Sequence, residues 1–223
     1  MDAVDESVEG GGGGGLTTIE IDDFLRNYFT SFKHRIHYLG TFPFDQFPHQ
    51  KFTQPLHSYA LCCVVNIDPS YKPGQHWVAF FREKDSKEIE FFDSYGYPPS
   101  SYKFEPFSQL TSVSNTFPLQ SNATNVCGHY CILFLLFRFA SINLLNVQKK
   151  FLHVMDFLRH LSPNSQLNRD ISIKRIYEKN RTRLSMQIHF TLLPTSSRKP
   201  IQRSYAFQAQ STGILSNAHI DSV

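Results

Sequence analysis

Apolar and polar positions follow three different rhythms along this chain. In the first, Ile21, Phe24, Leu25, Tyr28 and Phe29 fall three and four residues apart, as on one face of a helix. Thr17 and Glu20 stand just before them at capping-box spacing. In that arrangement a hydroxyl and a carboxylate each satisfy a backbone N–H that the first turn leaves without a partner. A helix from about Thr18 to Thr30 is predicted. The second rhythm is β-branched and continuous. Ser58 to Ile67 reads as a strand, and Gln75 to Phe81 with Glu88 to Phe92 flank the polar stretch Arg82 to Lys87 as a hairpin. Asp93-Ser94-Tyr95-Gly96-Tyr97-Pro98-Pro99 then ends strand structure. The third rhythm is apolar all round. It opens at Cys127, runs to about Ala140 and predicts a helix buried in the core.

The remaining segments are less regular. Tyr38 to Pro48 is aromatic and punctuated by proline, and reads as an irregular segment pinned by large side chains. Asn115 to Gln120 reads as a further short strand. Helices are predicted from Val147 to Leu161, where Phe151, Leu152, Met155 and Leu158 share a face, and from Gln166 to Tyr177. The unbroken glycines from Gly10 to Gly15 mark 1–16 as a flexible leader, because glycine has nothing to bury and loses most entropy on ordering. Beyond Glu178 the pattern dissolves. In 179–223 Lys179, Arg181, Arg183, Arg198, Lys199 and Arg203 are opposed only by Asp221, so a basic, loosely attached tail is expected. One domain, 17–178, remains.

Composition narrows the class. With 21 phenylalanines the chain has ample apolar bulk for a core, and a formal charge of +3 is too small to imply nucleic-acid binding. An acidic, glycine-rich start predicts no secretory signal, and no apolar run approaches the ~18–20 residues that cross a membrane. A soluble, intracellular protein with no membrane partner and four free thiols is expected.

Among those thiols Cys127 has the chemistry. It follows the polar loop Ser121-Asn122-Ala123-Thr124-Asn125 and opens a helix, whose free N–H groups and dipole favour a thiolate. Gly128 beside it leaves room for a substrate backbone. Cys62 and Cys63 lie inside a strand, and Cys131 is one turn deeper in the helix. A metal site from Cys127, His129 and Cys131 fails on geometry, since position 129 lies roughly 200° around the helix from 127; the same angle removes His129 as a base. No metal or cofactor is expected. His76 enters a strand beside Trp77, where a sheet holds its ring and an indole shields it. A hairpin turn centred between Lys84 and Asp85 sets Asp93 directly opposite His76, and turns Glu90 to the other face. Gln120, seven residues before the cysteine, offers a side-chain amide that with the Cys127 N–H would hold an oxyanion.

Taken together, Gly74-Gln75-His76-Trp77-Val78-Ala79-Phe80, Phe91-Phe92-Asp93-Ser94-Tyr95-Gly96-Tyr97 and Gln120 through Gly128 resemble the adenovirus-type cysteine proteases, and more distantly the proteases of ubiquitin-like modifiers such as SUMO. Tyr38-Leu39-Gly40-Thr41-Phe42 resembles the segment preceding that family's sheet, and the likeness runs from about Ile19 to Tyr177. It implies an α+β fold in which a mixed sheet packs against the nucleophile helix. It also implies a triad of Cys127, His76 and Asp93 with Gln120 in the oxyanion hole, and cleavage after glycine in precursor proteins of a virus or virus-like DNA transposon. Trp77, Tyr95 and Gly128 would border the substrate. The wider clan adds two alternatives, an isopeptidase acting on a ubiquitin-like protein and a protease-derived binding protein without activity. A peptide or DNA activator and a place in the host nucleus or virion belong to the same set of expectations. Two departures stand out: the adenovirus enzymes carry glutamate where Asp93 stands, and no counterpart of their activator-coupling cysteine is evident.

Overall fold

The computed structural model describes residues 15–54, 58–102, 110–141, 150–160 and 165–192, apart from the side chains of 141, 150–153, 157 and 183–192. The chain divides into two compact units, Met1–Leu184 and Ser185–Val223, and the functional residues lie in the first. Helix α1, Thr18–Phe29, forms as its sequence requires. The Thr17 hydroxyl accepts the Glu20 N–H at 3.2 Å, and the Glu20 carboxylate accepts the Thr17 N–H at 2.9 Å. Ile21, Phe24, Leu25 and Phe29 enter the core. Leu16 is also buried, and its carbonyl accepts the Trp77 indole N–H at 3.0 Å. Leu16 therefore belongs to the packed domain and not to the predicted leader, since it has apolar surface to bury and a buried indole needs an acceptor. The rest of the predicted leader, 1–14, lies outside the described residues.

Five strands form one mixed sheet in chain order: β1 Ile36–Pro43, β2 Ala60–Asn66, β3 Trp77–Arg82, β4 Ile89–Phe92 and β5 Val113–Ser114. The outer pairs, β1 with β2 and β4 with β5, are parallel, and the inner pairs are antiparallel. The segment read as irregular from Tyr38 is thus largely strand. Its alternation is broken by a register shift between Tyr38 and Thr41, where Gly40 takes a φ of +138°, and that bulge hid the pattern. A short helix, α2 His49–Thr53, follows it. The strand expected over Asn115 to Gln120 is displaced upstream to β5. Leu119 and Gln120 instead turn both backbone N–H groups onto the Ser94 carbonyl, at 2.8 and 2.9 Å. A ladder partner was available only at Glu90 and Phe91.

Both faces of the sheet are covered. On one, Cys62, Val64, Ala79, Phe81 and Phe92 pack with α1 and with α3, Cys127–Ser141. Phe92 stacks on Phe134 of α3 with centroids 4.6 Å apart. On the other, Leu61, Cys63, Val65, Val78, Phe80 and Phe91 pack under Phe47 and Phe52. Two more helices follow, α4 Lys150–His160 and α5 Gln166–Leu192. The predicted start of α4 at Val147 and its end at Leu161 lie outside the described residues. Helix α5 continues past Glu178, where the sequence pattern dissolves. No glycine or proline interrupts 166–192, and Leu, Met, Gln and Arg sustain helix without an apolar stripe. The tail beyond Leu192 lies outside the described residues. Among the described helices, none is long and apolar enough to cross a membrane.

One charge crosses the core. Arg138 of α3 is 1% exposed and holds both oxygens of Glu90 at 2.6 Å, with its guanidinium 4.5 Å from the centre of the Phe81 ring. Glu90 accordingly does face away from Asp93, toward the helix. Removing one partner of a buried pair strands the other charge, at a cost of ~3–5 kcal/mol. Arg138→Ala should lose about that much stability in urea unfolding, and Arg138→Met with Glu90→Leu should recover most of it.

Candidate active site

The β3–β4 hairpin brings the histidine and the aspartate together, though not in the register that the sequence suggested. Phe80 faces Phe91, where a turn centred between Lys84 and Asp85 would have set it against Ile89. The slip is two residues. Side chains alternate with a period of two, so it leaves every residue on its predicted face. His76 and Asp93 become diagonal neighbours just beyond the strand ends. Nε2 of His76 lies 2.7 Å from Oδ1 of Asp93, with the two residues 5% and 0% exposed.

A carboxylate so deeply buried needs several donors. Oδ1 also accepts the Tyr95 N–H at 2.8 Å, and Oδ2 accepts the Tyr102 hydroxyl. The backbone of Asp93 is held as well: its N–H donates to Asn115 Oδ1 at 3.0 Å, and its carbonyl accepts from Asn115 Nδ2 at 2.6 Å. The Asn115 amide thus mimics one more rung of the β4–β5 ladder. The turn closes with the Gly96 N–H on the Asp93 carbonyl at 2.9 Å. Gly96 has a φ of +74°, and a Cβ there would sit 2.4 Å from the Phe117 backbone, so no other residue fits.

The other face of the His76 imidazole belongs to the cysteine. Nδ1 is buried and makes no hydrogen bond of standard geometry, which leaves it for the Cys127 thiol. Such contacts are commonly loose before substrate binds. The two groups nevertheless set each other's charge. Burial disfavours imidazolium, but the Asp93 hydrogen bond and the Cys127 thiol outweigh it and raise His76 to about 9. Burial likewise disfavours a thiolate at Cys127. Attraction to His76 and the N–H groups of Trp77 and Gly128 overcome that and bring the thiol below its ordinary value. Cys62, Cys63 and Cys131 go the other way, pushed well up by burial. Among the four thiols, Cys127 alone is shifted toward the thiolate.

Gln120 is 1% exposed and its amide is locked in one orientation. Oε1 accepts the Ser94 hydroxyl at 2.7 Å, while Nε2 donates to the Thr124 carbonyl at 2.6 Å and to the Tyr95 hydroxyl at 3.2 Å. The longer bond, to Tyr95, is the one an incoming oxygen would replace. Tyr95 also stacks on His76 with centroids 4.7 Å apart, so it borders both groups.

The other predicted contacts resolve differently. Gly128 is glycine because a Cβ would meet Ile21, Leu16 and Trp77 at 3.0 to 3.3 Å. The space it leaves is filled from the N-terminal segment and is not open to a substrate. Trp77 commits its indole N–H to Leu16, yet it also lines a cavity of ≈ 200 Å³ with Thr18, Asn66, Asp68 and Gly74. His129 is buried against Tyr177, and burial lowers it to about 4, so it is neutral at pH 7. Sequence reasoning missed Ser94, Tyr102 and Asn115. Ser94 stood in the predicted turn beside Asp93, while Asn115 opened a predicted strand and gave no such signal.

No protein-family model matches the chain. Among curated proteins, the protease of Porcine adenovirus A serotype 3 is 32% identical over 115 residues, which is 44% of this chain and 54% of the relative. The chain therefore spans about half the length of the curated relative it matches. Two crystal structures of the African swine fever virus (ASFV) protease, one of them the selenomethionine form, each match 62% of this chain and 61–62% of their own. They are 17% and 22% identical with TM-scores of 0.37 and 0.35, too low to bear on the fold. By sequence, and over that limited stretch, the chain is similar to an adenovirus protease.

Proposed function

We propose that this protein is a cysteine endopeptidase that processes viral or virus-like precursor proteins, cutting after glycine-type residues. The observation that carries the proposal is the buried Cys127–His76–Asp93 relay, in which a lowered thiol and a raised imidazole favour an ion pair. The similarity to an adenovirus protease supports the same reading.

The chemistry follows from the atoms present. The Cys127 thiolate attacks the scissile carbonyl carbon, and the carbonyl oxygen takes up the negative charge. Gln120 Nε2, released by Tyr95, and the Cys127 N–H stabilise that oxyanion. As the C–N bond breaks, His76 gives its proton to the leaving amine, and the acyl group remains on sulfur as a thioester. Water then attacks the thioester while His76 takes one of its protons. The acid departs and the thiolate leaves as the thiolate–imidazolium pair. Asp93 holds the ring in place throughout. Trp77 is common to the cavity and the relay, since its side chain lines the one and its backbone N–H faces the Cys127 sulfur in the other.

Isopeptidase action on a ubiquitin-like protein is the second reading. It uses the same relay and differs only in what reaches the cleft. A panel of modifier–aminomethylcoumarin conjugates and glycine-containing peptides separates the two by relative kcat/KM.

Three outcomes are expected. Cys127→Ala should reduce peptide hydrolysis to background, and hydrolysis that survives would remove the mechanism. Cys127 should be alkylated by iodoacetamide rapidly at pH 6, whereas in His76→Ala the labelling should rise only near the free-thiol value of ~8.5. The activity profile should be bell-shaped. Its acid limb lies below the ordinary thiol value, where Cys127 takes up a proton, and its alkaline limb lies near His76 at about 9, where the acid for the leaving amine is lost.

A further inference from the structure

The loop that carries Gln120 is fastened from outside the sheet by two consecutive buried residues of α5. Arg169 and Asp170 are 5% and 2% exposed, and neither takes part in the relay. Asp170 Oδ2 accepts the Ser121 N–H at 3.0 Å and the Thr124 hydroxyl at 2.6 Å. Its Oδ1 lies 2.8 Å from the Tyr130 hydroxyl on the nucleophile helix, whose proton burial keeps in place by raising the phenol well above its ordinary value. Arg169 Nε donates to the Leu119 carbonyl at 3.0 Å, and the same carbonyl lies 3.2 Å from the Tyr130 hydroxyl. Residues on both sides of Gln120, and the third residue of the cysteine helix after Cys127, are therefore held by one short stretch of α5.

This arrangement has a direct consequence for the amide. Gln120 Nε2 donates to the Thr124 carbonyl, and Thr124 is held by Asp170. The orientation of the oxyanion donor thus depends on a carboxylate two hydrogen bonds away. By contrast, the groups that touch His76 and Cys127 are Asp93, Tyr95, Trp77 and Gly128, none of them among the hydrogen-bond partners of Asp170 named above. We infer that Asp170, with Arg169, is a positioning residue that sets the oxyanion donor without setting the thiolate. This rests on the cysteine-protease reading above and names what assembles one part of that same site.

The two halves of the site can be read out separately. In Asp170→Asn an amide N–H2 replaces an oxygen that now accepts two donors, so the Ser121 N–H loses its acceptor. Hydrolysis of a Gly-Gly-aminomethylcoumarin peptide should fall in kcat by about 10- to 100-fold, less than the ~10²–10³ for deleting an oxyanion donor outright. KM should change little, and the rate and pH profile of Cys127 alkylation should match the wild type. Thr124→Val, which leaves the α5 packing intact, should show the same split more weakly, and it decides the matter if Asp170→Asn fails to fold. Wild-type kcat in the folded variants, or alkylation lost in step with hydrolysis, would overturn the inference. Failure of the protease reading is a different result: the wild type itself would neither hydrolyse the peptide nor label at acid pH.

Discussion

A negative charge with no access to water is the constraint around which this molecule is organised. Asp93 is fully buried, and a carboxylate in that position survives only if its oxygens are supplied with donors. His76, the Tyr95 N–H and Tyr102 supply the side chain, while Asn115 and Gly96 fix the backbone. The local structure follows from meeting that need. The chain turns sharply after β4, Gly96 is obligatory, and β5 stops at Ser114 so that the Asn115 side chain can take over from the ladder. Because Asp93 favours the imidazolium, His76 in turn favours a thiolate at Cys127.

The N-terminal segment contributes to the same end. Leu16, Ile21 and Trp77 can close over the position after Cys127 because Gly128 carries no Cβ, and Trp77 is fixed by the Leu16 carbonyl. The start of α3 is thereby held from both sides, by α1 on one and by the Gln120 loop on the other. Arg138, three turns further on, ties the far end of α3 to β4 through Glu90. The helix that bears Cys127 and the strand that leads to Asp93 are thus joined by this ion pair and by the Phe92–Phe134 stack.

Much of this was legible in the residues, for identifiable reasons. The capping box of α1 is a local device and formed as read. The apolar character of α3 on all sides required burial, and it is buried. His76 and Asp93 were placed on one face correctly even though the hairpin slipped by two, because parity fixes the face and not the register. The failures are non-local. β1 was hidden by its bulge at Gly40 and is specified by pairing with β2. Leu16 looked like the end of a glycine leader until a tryptophan from sixty-one positions away claimed its carbonyl. Asn115, Tyr102 and Asp170 are polar residues in loops or on a helix without a strong apolar stripe, and their importance comes only from what they reach in three dimensions. Gly128 was read as clearance for a substrate when the space beside it is already filled.

The claim on which the rest depends is that His76 stays protonated through neutral pH because Asp93 and Cys127 hold it so. The most direct test is an NMR titration of the His76 ring protons, assigned by their loss in His76→Ala. The account predicts a titration near about 9, well above the ordinary imidazole value of 6.5, moving down when Asp93 is replaced by asparagine. A midpoint at or below 6.5 that is unmoved by that substitution would contradict it, since the imidazole would then be neutral and the thiol would have no counter-ion.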